Sequence, residues 1–450
     1  MRQFVPVLIL LLLLPFAQAQ SIAESLQECP STMTGSTQPE QIHLQVTDNP
    51  SEMVVIWATD QRSTAVVEWT TTSGSNSASG DSYCYNHDKA FHMVVMEGLP
   101  LGEEVTYRVG DGNSWSNEFT FTTIDPGADY FEWISIADHG LSSEALDVTE
   151  GIIADTNAQL VTISGDIAYA DGNQDVWDDW FMEQQQSMTS IPWLTVVGNH
   201  ENEPGVGFTP YEHRLDSDQI IESETFWYSR DVPGVHFVFM STEHEYTPGS
   251  EQYNWLQSDL QAANSPQARE ERPFVIVFGH KPMYSSNDYH GSEVELRDAL
   301  ESLYVENGVN LVIAGHDHFY ERTWPVNGEK VTDKGVEDVF DQSHEPIHLV
   351  IGMAGRSAYE ELQEPQPEWS AFRENSSYGW TRFVYDDEKR QLDFTHHRID
   401  GTIGDTFTLV EKFSNPDSSD SDSLGVIGID SLLAIFAMAG AAVRGRESIS

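Results

Sequence analysis

A chain of 450 residues, 39% hydrophobic and 11% aromatic, is long enough for more than one packed core and too apolar to stay unfolded. With 73 acidic residues against 22 basic ones its formal net charge is −51, which argues against nucleic acid as a partner and repels phosphorylated ligands unless a local cation reverses the field. An acidic, lysine-poor surface also suits concentrated salt, where screening blunts self-repulsion.

At the N-terminus Arg2 precedes the apolar run VPVLILLLLLPF and then Ala17-Gln18-Ala19, the charged, apolar and small-residue order of a secretory signal. The reading is a signal peptide over 1–19, with the remainder exported and either secreted or held on the extracellular face of the membrane. Cys29 and Cys84 either pair across the first domain in an oxidising compartment or remain two free thiols. Over 38–124 short runs such as MVVIWAT, AVVEWTTT and EVTYRVG are separated by turn residues every ten or so positions and carry no helical period. That pattern predicts a small all-β sandwich.

Asp125-Pro126-Gly127 punctuates the join to a second domain over 128–413. There strand-like runs alternate with helical stretches at 175–187 and 292–306, which predicts an α/β architecture. The acidic Ser/Asp stretch 414–423 reads as a linker. The apolar run 424–443, backed by Arg444 and Arg446, reads as a C-terminal transmembrane anchor or a cleaved sorting segment. Asp430 counts against the anchor, since a carboxylate in hydrocarbon is costly.

Five hydrophobic runs of the second domain end on residues that bind metals. They are FEWISIAD ending at Asp138, AQLVTISGD at Asp166 with Tyr169 just beyond, IPWLTVVGNH at Asn199, RPFVIVFGH at His280, and VNLVIAGHDH at His316 and His318. Ligands gather outside the carboxyl ends of the strands in open α/β sheets. Singly each residue has a plain explanation: an Asp caps a helix, an Asn holds a turn, a His sits satisfied in a core. Seven oxygen and nitrogen donors at the strand ends of one domain point instead to a metal site.

Read as motifs, these residues form Asp138-His139-Gly140, Gly165-Asp166-Ile167-Ala168-Tyr169, Gly198-Asn199-His200-Glu201, Val277-Phe278-Gly279-His280 and Gly315-His316-Asp317-His318. In that order they resemble the DxG, GDxxY, GNH[ED], VxxH and GHxH strings of the purple acid phosphatases. The resemblance extends through GHKPMYSSN, FYERTWPV and HLVIGMAG and covers most of the two domains. It implies a calcineurin-like metallophosphoesterase fold, a β-sandwich flanked by helices (αββα), preceded by a fibronectin III-like domain. It also implies a ferric ion on Asp138, Tyr169 and His318, a divalent ion (iron, zinc or manganese) on Asn199, His280 and His316, and Asp166 bridging both.

By the same resemblance a metal-activated hydroxide attacks a phosphate monoester of a small molecule, with Asn199, His200 and His290 contacting substrate. His200 is the first candidate to protonate the leaving group and His290 the second; Tyr289-His290 stands where plant-type relatives commonly have a histidine pair. Glu201 is expected to orient His200, while Asp317 and His139 are read as structural. Phosphodiesters or nucleotide pyrophosphates are the alternative substrates, and a non-catalytic cell-surface binding protein is a third reading. The sandwich reads as a structural module that frames the cleft or packs on a partner in a homodimer. The acidic surface carries its own test. Dialysis from concentrated salt into dilute buffer is expected to abolish both the far-UV circular dichroism of the fold and the activity; retention of both would remove the salt argument.

Overall fold

The computed structural model describes residues 29–411 apart from 31, 86–87, 156, 216–225 and 342–344. The segments read as signal peptide, linker and anchor lie outside the described residues. Among the described residues no helix is long and apolar enough to cross a membrane.

The first strands are β1 Glu40–Val46, β2 Met53–Thr59, β3 Ala65–Thr71, β4 Gly74–Tyr83, β5 Ala90–Met96, β6 Glu104–Gly110 and β7 Phe119–Thr122. They form one sheet in the order β1-β2-β5-β4-β3-β6-β7 that folds over itself around Leu44, Val55, Trp57, Val67, Trp69, Val105 and Tyr107. Six of these strands follow the apolar runs of the sequence. The exception is β4, GSNSASGDSY, which is mostly exposed and has no alternation. Its neighbours hold it: residues 74–80 pair with β3, and 81–83 cross to pair with β5. At the crossing a Cβ on Gly80 would overlap the Met93 carbonyl oxygen, so the switch between layers needs glycine. Cys29 and Cys84 are joined in a disulfide, which decides between the two readings of the cysteines.

The sandwich is anchored to the second domain through buried polar groups. Arg214, fully buried, donates to Gln41 Oε1 (2.8 Å) and the Tyr85 hydroxyl (2.7 Å) on one side and to Asp178 Oδ1 (2.8 Å) on the other. The Tyr107 hydroxyl donates to the Thr189 carbonyl at 3.0 Å. Burial lowers the His43 imidazole to about 4, so it packs at this joint as a neutral ring.

The catalytic part begins with β8 Tyr130–Ile136, β9 Leu160–Ser164 and β10 Trp193–Val196, which run parallel. Next come β11 Tyr228–Val232, β12 Val235–Phe239, β13 Phe274–Phe278, β14 Leu311–Ala314 and β15 Tyr320–Thr323, then a small hairpin of β16 Val326–Asn327 and β17 Lys330–Val331. The last are β18 Val339–Asp341, β19 Ile347–Ile351, β20 Ser370–Glu374, β21 Gly379–Asp386, β22 Gln391–Arg398 and β23 Ile403–Val410. Two sheets result, β10-β9-β8-β21-β22-β23-β18 and β11-β12-β13-β14-β19-β15-β20. They face each other across Phe131, Trp133, Phe237, Phe278, Ile313, Leu349 and Phe383.

Helices α1 Ser143–Ala154 and α2 Gln174–Met188 cover the outer face of the first sheet through Ile152, Trp177 and Trp180. Helices Glu251–Ala263 and Val294–Glu306 cover the second through Leu256, Leu260, Leu296 and Leu300. The layering is the αββα arrangement implied by the sequence motifs. Strands β8, β9, β10, β13 and β14 each run directly into a candidate ligand, so one edge of the two sheets collects the chemistry.

The disulfide spans 55 residues of sequence, and cross-linking a loop of that length stabilises a fold by about 4 kcal/mol. Replacing both Cys29 and Cys84 with Ser is expected to lower the unfolding free energy by that order, read as a fall in the urea midpoint. Equal midpoints for the variant and the oxidised wild type would refute it.

Candidate metal centre

Three of the five ligand loops, those after β8, β9 and β14, leave their strands through a backbone that L-residues rarely adopt. Asp138, Asp166, Tyr169, Asp171 and His316 all have φ between +51° and +68°, at a cost of order 1 kcal/mol or more each. The glycines of the motifs are explained by the same crowding. A Cβ on Gly315 would overlap Asp138 Oδ2, one on Gly198 would overlap Asp166 Oδ1, and one on Gly165 would lie 2.6 Å from His280 Nδ1. The carboxylates occupy the space that any larger residue would fill.

All seven candidate ligands come together, in two groups. In the first, the Tyr169 hydroxyl donates to Asp138 Oδ1 at 3.0 Å and lies 3.1 Å from His318 Nε2, with His318 Nε2 3.5 Å from Asp138 Oδ1. In the second, His280 Nε2 lies 3.1 Å from Asn199 Oδ1, 3.2 Å from His316 Nδ1 and 3.3 Å from Asp166 Oδ2. The groups are tied together where the His316 backbone N–H donates to Asp138 Oδ2 at 2.8 Å. His316 and His318 serve different groups from one tight turn. Hydrogen bonds from Asp317 N to Gly315 O and from Phe319 N to Asp317 O, with the positive φ of His316, turn the two imidazoles apart.

The tautomers follow from neighbouring carbonyls, which can only accept. His280 Nδ1 lies 2.8 Å from Ser164 O and His318 Nδ1 lies 2.9 Å from Ser357 O, so each carries its proton there and turns a lone pair on Nε2 into the site. In the second group the Nε2 lone pair of His280 then faces the oxygens of Asn199 and Asp166. A positive charge must lie among them, either a metal ion or, without one, a second ring proton that makes His280 an imidazolium donating from Nε2 to Asp166. Burial works against it, but the charge of Asp166 and then Asp138 raises the His280 imidazolium to about 10. Burial and the facing charge of His280 drive His316 down to about 2. Burial, with Asp138 and Asp166 nearby, pushes the Tyr169 phenol well above its usual value. A buried, closely spaced set of carboxylates, phenol, amide oxygen and imidazoles fits metal ions, and Asp166, His280 and His316 lie close enough together to share one.

His200 stands at the rim, about one-third exposed, with its ring 4.5 Å from the Tyr169 ring and Nε2 4.0 Å from Asp166 Oδ2. Its Nδ1 donates to Asp171 Oδ1 at 2.6 Å. His290 is exposed on the opposite side, its ring 4.1 Å from that of His316 and its Nε2 3.2 Å from the Tyr359 hydroxyl. Asp171 was not singled out from the sequence, although it sits two residues past Tyr169 in the same loop. Tyr359 and Arg356 were also missed: they lie just after HLVIGMAG, where no motif assigns a role.

Glu201 corrects an expectation. Its carboxylate does not touch the His200 side chain but accepts the backbone N–H groups of Asp166 (2.8 Å), Ile167 (2.9 Å) and Gly198 (2.7 Å), while Asp171 takes the role expected of it. It staples the β9 and β10 loops together. Asp317 and His139, read from the sequence as structural, are buried; Trp180 donates to His139 Nδ1 at 3.1 Å. Glu201→Gln places an amide donor against backbone donors, and leaving such buried N–H groups unpaired costs about 3 kcal/mol. The variant is expected to show a lower urea midpoint without metal and to retain less metal after gel filtration. Wild-type values for both would contradict the staple.

Residues 136–320 match the calcineurin-like phosphoesterase family, 39–123 the purple acid phosphatase N-terminal domain, and 345–406 the iron/zinc purple acid phosphatase-like protein C family. The chain is 31% identical over 420 residues to acid phosphatase type 7 of Danio rerio, covering 85% of this chain and 93% of that one. It is also 31% identical to the purple acid phosphatase of Glycine max, covering 83% and 85%. Its fold matches the purple acid phosphatase PPD1 of yellow lupin (Lupinus luteus) seeds with a TM-score of 0.75 at 23% identity, over 86% of this chain and 78% of that one. With a binuclear metal centre implied by the match and a ligand set arranged to hold one, the chain belongs to the purple acid phosphatase family of metal-dependent phosphoesterases.

Proposed function

We propose that the protein is an exported acid phosphatase that hydrolyses phosphate monoesters of small molecules. The observation that carries this reading is the pair of donor groups around Asp166 whose lone pairs face one another. Asp138, Tyr169 and His318 would hold a ferric ion, since phenolate and carboxylate are hard donors. Asn199, His280 and His316 would hold a divalent iron, zinc or manganese, with Asp166 shared. When bound, such a pair supplies Lewis acidity that makes water a competent nucleophile near neutral pH and offsets charge on phosphate oxygens.

The remaining work falls to the protein's own side chains. His200 and His290 flank the donor groups and can each donate to a phosphate oxygen. Asp171 holds the Nδ1 proton of His200, which fixes the ring so that Nε2 is offered to the cleft. That arrangement favours His200 over His290 as the donor of a proton to the departing alkoxide. The Tyr359 hydroxyl restrains the His290 ring from the other side. Monoesters are favoured by relatives named acid phosphatase type 7 and, at 32% identity, phosphoenolpyruvate phosphatase of Allium cepa. Export is supported by the sequence pattern of 1–19 and by the Cys29–Cys84 disulfide, a bond that persists in oxidising compartments; surface anchoring rests on the pattern of 424–443.

Metal-loaded protein is expected to cleave a nitrophenyl monoester much faster than the corresponding diester, to lose this activity on chelation, and to regain it with iron plus zinc or manganese. His200→Ala is expected to lower kcat by about 100-fold or more. A visible tyrosinate-to-iron band that Tyr169→Phe removes would support the ferric assignment. A preference for the diester, or active protein free of iron, would overturn the corresponding part of the reading.

A further inference from the structure

We propose that Arg356 is a phosphate-binding residue of the cleft, its guanidinium taking a non-bridging oxygen of the substrate's phosphoryl group. The inference deepens the phosphoesterase reading above and rests on it. In a chain with 73 acidic and 22 basic residues, arginines find carboxylates easily. Arg108, Arg214, Arg230, Arg322, Arg382 and Arg398 all do. Arg356 is exposed and makes no ion pair among the described residues; its guanidinium lies 4.3 Å above the ring of Tyr169. Lys281, a cation beside the ligand His280, is neutralised by Glu243 at 3.0 Å. Arg356 therefore keeps its charge available at the mouth of a site that must attract an anion against a strongly negative protein.

Its position is built rather than incidental. The Arg356 backbone N–H donates to the carbonyl of Asp138 at 2.9 Å. The residue before it, Gly355, is pressed against α1, where a Cβ would overlap Ala145, and its carbonyl accepts from Ser142 Oγ at 2.7 Å. The residue after it, Ser357, accepts the Nδ1 proton of His318, and Tyr359 N donates to His318 O at 3.0 Å. The segment from Gly355 to Tyr359 is thus stitched on both sides to loops that carry ligands, and the ring of Tyr359 stacks on His318 at 4.3 Å. Resting on the Tyr169 face, the guanidinium is held near the first donor group while His200 packs against the same ring. A planar donor fork parked in this way loses little freedom when it binds a phosphate oxygen.

The test compares metal-loaded wild type, Arg356→Ala and Arg356→Lys. Contacts to substrate and product alike raise KM and weaken phosphate binding without slowing the bound complex. In Arg356→Ala, KM for an aryl phosphate and the calorimetric dissociation constant of inorganic phosphate are each expected to rise by about 10- to 100-fold, with kcat within about threefold of wild type. Arg356→Lys is expected to recover part of the affinity, because it restores the charge but not the fork. Phosphate affinity and KM in the alanine variant equal to wild type would overturn the inference, leaving Arg356 as packing on Tyr169. So would a higher KM with unchanged phosphate affinity, which would place its contact on the leaving group. A wild type that cleaves no phosphate ester would instead overturn the underlying functional reading.

Discussion

Around His280 Nε2 an amide oxygen, a second imidazole nitrogen and a carboxylate oxygen approach to between 3.1 and 3.3 Å, and the proton of that ring is already committed to Ser164 O on the far side. Buried acceptors do not converge in this way without a positive charge among them, because each would otherwise lose its solvation and gain only repulsion. The requirement for positive charge, from a metal ion or from a second proton on His280 itself, is therefore imposed by the protein's own geometry. Much of the surrounding architecture can be understood as what is needed to keep those groups from swinging apart.

Three devices supply that restraint. Left-handed residues at Asp138, Asp166 and His316 turn the chain sharply off the strand ends, so that side chains project across the sheet edge and not along it. Glycines beside them clear the space that the carboxylates fill. The Glu201 carboxylate gathers backbone N–H groups from two loops that would otherwise have none to accept them. Strained backbone of this kind persists only where its surroundings are rigid. The aromatic-rich core between the two sheets, with Trp133 stacked on Phe383 and Phe239 on Phe278, provides that rigidity.

Most of this was legible in the residues, for physical reasons that also explain what was not. Buried parallel strands such as FVIVF and LVTIS announce themselves as apolar runs, and the donor that follows each one stands out because it ends the run. The same logic fails for β4, whose polar residues form a strand only because β3 and β5 offer it hydrogen bonds. It fails again for Glu201, where the identity of a carboxylate says nothing about which donors will surround it. Adjacency in sequence suggested His200, whereas the backbone turn brings it to Asp166, Ile167 and Gly198. Asp171, Arg356 and Tyr359 act through contacts with residues distant in the chain or across a loop, and no local spacing encodes them.

Arg214 gives the two domains a relationship that their separate sheets would not suggest. Its guanidinium is wholly enclosed and is satisfied by Gln41 and Tyr85 from the sandwich as well as by Asp178 from α2. Excising the sandwich would remove two of these three acceptors, Gln41 and Tyr85, and uncover the guanidinium they enclose. The N-terminal module is thus a structural keystone rather than a detachable accessory, because the buried charge at the joint is satisfied only when both parts are present.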